Sequence, residues 1–161
     1  RDGTMEAEKA VNLTGSFARL NTAYLLMQKG YLSHTWLLEN LPEIWRSSDP
    51  DDTDARFLRL WRQAWLHNGH RVVTDGVPLP TNPVIKIYRG QRPTDPLGFA
   101  WSLSLATAEA FSRGASYRTR IEGQVISGFV DRSAIFGYLT QRGESEVIVN
   151  PAHVKKGNAS L

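Results

Sequence analysis

Two carboxylates separated by a single residue, Glu144 and Glu146, stand just ahead of an apolar run in Arg142-Gly143-Glu144-Ser145-Glu146-Val147-Ile148-Val149. An extended backbone over 144–150 would point both acids the same way, about 7 Å apart, and turn Val147 and Val149 into the core. Like charges at the lip of a strand repel each other, and carboxylate pairs serve in acid–base work and in stabilising positive charge. Taken alone, the pair better suits a solvated strand edge, where charged residues are common. Two further pieces weaken that plain reading. Tyr88-Arg89-Gly90 closes one expected strand, and Phe99-Ala100-Trp101-Ser102-Leu103-Ser104 forms the next.

Other reactive groups are few. His67 and His70 have a spacing that can place two metal ligands on one helix face, but Asn68-Gly69 between them reads as a helix end. No HExxH pattern or nearby carboxylate completes a site, so both are read as cap and surface residues and no metal is expected. His34 and His153 are isolated and read as structural or exposed. The chain has no cysteine, which excludes disulfides, thiol chemistry and cysteine–zinc sites. Of the five tryptophans, Trp36, Trp45, Trp61 and Trp65 recur at helical spacing and are expected in the core.

Nineteen Lys+Arg against sixteen Asp+Glu give a formal charge of +3, too small an excess to make a nucleic-acid binder by itself. No apolar run approaches the roughly 18–20 residues of a membrane span, and no membrane partner is expected. The charged stretch 1–10 lacks the apolar core of a signal peptide.

With 161 residues, 41% hydrophobic and 22% charged, the chain has the size and composition of one globular domain. Its pattern changes near residue 80. Before that point it is helical: Leu20 to Met27, then Tyr31 to Trp45 with Gly30 as the break and Ser33 as a cap. The next helix is capped by Asp52, Thr53 or Asp54 and carries the stripe Phe57, Leu60, Trp61, Ala64 and Trp65, with Asn68-Gly69 as its stop. Pro78, Pro80 and Pro83 exclude a regular helix from the connecting stretch. Strands follow at 84–88, 99–103, 123–130 and 144–150, with a short helix at 107–112 and another capped by Asp131 and running through Tyr138. Helices first and strands afterwards predict an α+β fold with an antiparallel or mixed sheet. One domain over 1–161 is expected, with a helical segment at 1–75 and a β-rich core at 84–151.

Tyr88-Arg89-Gly90, Ser102-Leu103-Ser104 and Glu144-Ser145-Glu146 together resemble the Arg, Ser-x-Ser and Glu-x-Glu motifs of mono-ADP-ribosyltransferases of the arginine–serine–glutamate class. Order and spacing both agree: a short loop to the serine strand, a helix with Ala110-Phe111, then about forty residues to the acidic pair. Leu103 replaces the usual middle threonine, so both Ser102 and Ser104 stand as the site serine. The resemblance implies the split-sheet core of those transferases, NAD as co-substrate without a metal, and cleavage of the nicotinamide–ribose bond. It implies that Glu146, oriented by Ser102, stabilises an oxocarbenium-like transition state. Arg89 would bind the diphosphate or ribose, and Gly90 would admit the nicotinamide amide. Ser104 is a further NAD contact, and Phe111 or Tyr117 would stack on the nicotinamide. Arg113, Arg118 and Arg120 flank the loop that would lie near the diphosphate, though on their own they read first as a solvated basic loop.

Glutamate two residues before the catalytic one goes, in that family, with arginine acceptors, because a guanidinium needs a carboxylate to orient it and take its proton. Glu144 therefore implies an acceptor protein modified on arginine, with the turn 138–143 facing it and Phe136 or Tyr138 as a contact aromatic. The resemblance also implies a short bacterial or phage enzyme, toxin or effector working in the cytoplasm. Two alternatives stay open. One is an NAD glycohydrolase, or a transferase acting on a nucleic-acid base. The other is a non-catalytic module binding protein or nucleic acid through Arg56, Arg59, Arg62 and the basic 113–120 loop.

Overall fold

The computed structural model describes residues 2–15, 18–48, 50–113 and 123–157 and divides into two units, Arg1–Val73 and Thr74–Leu161. Among the described residues of the first are four helices: α1 (Asp2–Leu13), α2 (Arg19–Gln28), α3 (His34–Ser47) and α4 (Ala55–His67). The residues expected to punctuate them do so. Gly30 turns the chain after α2 with φ 76°, the left-handed conformation that glycine adopts without steric cost. The Ser33 hydroxyl accepts the Trp36 N–H at 3.0 Å, and Asp54 accepts the Arg56 N–H at 3.0 Å, each satisfying a donor the helix start leaves open. Gly69 (φ 72°) and His70 (φ 59°) end α4. In the core, the edge of one ring meets the face of the other where Trp45 and Trp61 lie 5.9 Å apart between centroids, with Leu37, Leu41, Leu60 and Ala64 fully buried around the same two helices.

α1 covers a stretch that sequence reading left without an element. Ala7 and Val11 are buried, and at four-residue spacing they supply the narrow apolar stripe that a helix needs.

The second unit supplies the strands β2 (Val84–Gln91), β3 (Ala100–Ser102), β4 (Gln124–Asp131), β5 (Ile135–Leu139), β6 (Glu146–Val149) and β7 (Lys155–Lys156), with helix α5 (Leu105–Ser112) between β3 and β4. The two-residue β1 (Val73–Thr74) marks the boundary of the units. The sheet order is β1-β5-β6-β3-β2-β4-β7. The pairs β2–β3, β2–β4, β3–β6, β4–β7 and β5–β6 are all antiparallel. Among the described residues, five α-helices and a seven-stranded sheet make the chain α+β.

Two local expectations are corrected. Residues 135–138 are not helical: a single 3-10 turn at Arg132–Ala134 leads into β5, which is buried along its whole length. A five-residue apolar run buried on both faces shows no alternation, so periodicity cannot separate strand from helix there. The strand expected over 144–150 begins only at Glu146, because Ser145 has φ 47° and Gly143 φ 72°. A left-handed residue between Glu144 and Glu146 breaks the two-residue alternation, so the pleat does not fix both acids on one face.

α5 lies against β2 closely enough to demand a glycine. A Cβ on Gly90 would stand 2.0 Å from the Ala108 carbonyl oxygen and 2.5 Å from the Ser112 nitrogen. Both are backbone atoms that cannot swing aside.

Candidate functional site

The centre of the sheet brings the serine and the acidic motif together. Tyr88 pairs with Ser102 across β2 and β3, Ser102 pairs with Glu146 across β3 and β6, and Glu146 pairs with Leu139 across β6 and β5. Directly opposed residues of antiparallel strands share a face, their Cβ atoms roughly 4.5–5.5 Å apart. Tyr88, Ser102 and Glu146 therefore form one row across three strands, with Ser102 buried and the other two half-buried.

Ser102 and Ser104 have different tasks. The Ser102 hydroxyl donates to the Glu144 carbonyl at 2.5 Å and accepts the Ser104 N–H at 2.9 Å. Its single proton is committed to the Glu144 backbone, and it meets Glu146 as a register partner. The Ser104 hydroxyl caps α5 by accepting the Thr107 N–H at 3.2 Å. The Leu103 N–H donates to the Ser145 carbonyl at 3.1 Å. Leu103, the departure from the usual motif, thereby helps to tie the acidic segment down through its backbone.

Arg89 lies one residue beyond this row, so the pleat sends it to the other face of β2 with Ile87 and Gln91. β2 and β3 share one paired position, Tyr88 with Ser102, while β2 runs on to Gln91 against β4. The Arg89 side chain crosses the interval where that ladder stops. Its Nη1 donates to the Ala100 carbonyl at 2.7 Å and its Nε to Gln91 Oε1 at 2.6 Å. Gln91 in turn donates to the Asp95 carbonyl at 2.9 Å, so it fastens both the arginine and the loop after β2. Gly90 admits α5, as its geometry requires. Phe111 stands exposed on α5, and Arg113 is the C-cap residue of that helix. Tyr117, Arg118 and Arg120 lie outside the described residues.

Sequence reasoning missed Asp75 and Gln91. Asp75 receives the backbone N–H of both Thr140 and Gln141, and the Thr140 hydroxyl, at 2.9–3.1 Å. Phe136 and Tyr138, expected to face an acceptor, are buried in β5. His67 stacks on His34 with centroids 5.5 Å apart, whereas His70 meets the Trp65 ring. Among the described residues no group of three or more His, Cys, Asp or Glu is placed to hold a metal ion, and no helix is long and apolar enough to cross a membrane. Arg56 is engaged within its own unit, with Asp54 at 2.7 Å and Asn21 at 2.7 Å.

No family model, curated protein or solved structure matches the chain. A reading of function rests on the residues themselves.

Proposed function

We propose that the chain is an NAD-dependent mono-ADP-ribosyltransferase that cleaves the nicotinamide–ribose bond and passes ADP-ribose to arginine of an acceptor protein. One observation carries the reading: Ser102 and Glu146 are register partners, and the Ser102 hydroxyl grips the carbonyl of Glu144. The serine and acidic motifs, more than forty residues apart in sequence, thus stand side by side in the sheet, which supports the reading. The single-position join between β2 and β3 supports the split-sheet form of that fold.

In this reading, loss of nicotinamide leaves positive charge on the ribose, and the Glu146 carboxylate stabilises it. Half-burial limits the screening of that attraction by water. Arg89 lies on the other face of β2, so its fixed charge would serve the diphosphate only from the strand edge where Gln91 and the Ala100 carbonyl hold its guanidinium. Glu144 orients the acceptor guanidinium and takes its proton as the nitrogen bonds to the ribose carbon that nicotinamide leaves. Exposed Phe111 offers a ring for stacking.

Following NAD by chromatography tests this, using wild type, Glu146→Ala and Glu144→Gln, each with and without cell lysate. Glu146→Ala should release nicotinamide about a hundredfold more slowly, the scale of losing a transition-state charge stabiliser. Glu144→Gln should keep hydrolysis and lose protein-bound ADP-ribose, which mass spectrometry should place on arginine in the wild-type sample. NAD left intact by wild type in both conditions would overturn the proposal. Free ADP-ribose alone would make the protein a glycohydrolase, and label on DNA or RNA would move the acceptor to a base.

A further inference from the structure

We infer that Asp75 is a positioning residue for the acceptor step: it fixes the turn that carries Glu144 and so sets how ADP-ribose divides between a protein guanidinium and water. This rests on the transferase reading above.

Asp75 occupies a short turn, Thr74-Asp75-Gly76, in which Gly76 has φ 120°. Its carboxylate gathers three donors. The Thr140 N–H lies 2.9 and 3.1 Å from the two oxygens, the Thr140 hydroxyl 3.0 Å from Oδ1, and the Gln141 N–H 3.0 Å from Oδ2. β5 ends at Leu139, so these are the first two residues to leave the ladder, and a carboxylate takes over as their acceptor. Hydrogen bonds to an ionised acceptor are the strong kind, and two successive amides on one carboxylate fix direction as well as position.

The far end of the same turn is held separately. The Gly143 N–H returns to the Thr140 carbonyl at 2.9 Å, then Ser102 holds the Glu144 carbonyl and Leu103 the Ser145 carbonyl. Residues 140–145 are therefore clamped at both ends. Gln141, Arg142 and Gly143 are exposed between the clamps, and Glu144 is half-buried at the second. Glu146, by contrast, is held in the ladders of β3 and β5 on either side. Loosening the first clamp should disturb the carboxylate that orients an incoming guanidinium while sparing the one that cleaves NAD. Water needs no such orientation.

Asp75→Asn keeps the size of the side chain but sets an amide group against N–H donors. Thr140→Val removes the hydroxyl donor alone. In the full chain with NAD and cell lysate, Asp75→Asn should lower the ratio of protein-bound to free ADP-ribose about tenfold or more, as misplacement of a reacting group does. Nicotinamide release should stay within about twofold, because the change falls on the acceptor step alone. Thr140→Val should shift the ratio the same way by less. Hydrogen exchange should show the Thr140 and Gln141 amides opening faster in Asp75→Asn, with Ile87 and Val130 unchanged. Exchange at the wild-type rate would overturn the clamp. Release and labelling that fall together, with β2 and β4 still protected, would overturn its selectivity. A wild type that leaves NAD intact would remove the transferase reading, and Asp75's positioning role in it, while exchange still reported the clamp. A wild type that hydrolyses NAD without labelling protein would overturn the acceptor role alone.

Discussion

Polar side chains in the helical unit are spent mostly on near neighbours, whereas those in the strand unit reach far along the chain. Ser33 serves Trp36, Asn40 serves Trp36, and Asn68 serves Arg71 and Val72. The bonds from Arg19 to Ser47, Arg56 to Asn21 and Arg59 to Tyr24 are exceptions. In the strand unit, Ser102 holds Glu144, Asp75 holds Thr140 and Gln141, and Arg132 holds the Leu79 and Pro80 carbonyls. Local bonds close the ends of a helix whose stability comes mainly from its buried face. Distant bonds decide where loops stand relative to the sheet, among them the turn that carries Glu144. Damage to the two units should therefore differ in kind.

The steepest expected loss is in the strand unit. Gly90→Ala places a Cβ against backbone of α5 and should cost about 3 kcal/mol or more, at or above the upper end for overpacking. Denaturant unfolding measures it, and exchange should show α5 losing protection before α4. A cost under about 0.5 kcal/mol, the size of an ordinary surface substitution, would mean that α5 does not press on β2 in this way. Ser102→Ala should cost roughly 1–3 kcal/mol, since the Ser104 N–H and the Glu144 carbonyl both lose their partner. It should also slow NAD cleavage, whereas equal stability with unchanged turnover would erase the distinction between local and distant bonds.

The smallest effect belongs to the helical unit. Asp54→Ala removes a cap worth about 1 kcal/mol and should leave NAD turnover untouched. The hydrogen bond from the Arg56 side chain holds the Asp54 carboxyl below its ordinary 3.8. A depressed carboxylate stabilises the folded chain above its unfolded-state value, and that contribution is lost as pH falls through the folded one. The penalty of Asp54→Ala should therefore be full near neutrality and shrink below about pH 4. A penalty that grew in acid would show that Asp54 is not held in its charged form.

How much was legible in the sequence follows the same divide. Ser33, Asp54, Gly30 and Gly69 announce their helix ends because their partners lie within a few residues. Strands β2 and β4 were legible as β-rich runs. β5 was not, because Ile135 to Leu139 are buried throughout and give no alternation. The break at Ser145 was invisible, since serine carries no signal for a positive φ. Asp75 was missed because its partners lie 65 and 66 residues away, and nothing near it in the chain hints at them. The Arg, Ser-x-Ser and Glu-x-Glu pieces could be named from sequence, but not that one serine would grip a backbone carbonyl while the other capped a helix.

β6 arrives late in the chain yet lies inside the sheet, between β5 and β3. During synthesis, a growing chain that has reached Leu139 can already hold β2, β3, β4 and β5, but it has no row of Tyr88, Ser102 and Glu146. β3 and β5 must leave a gap, or part, until the last central strand threads between them. Such non-local pairing is intrinsically slow. The row of Tyr88, Ser102 and Glu146 is thus completed only once translation has passed Val149, so the order in which strands are made sets when the candidate site can exist.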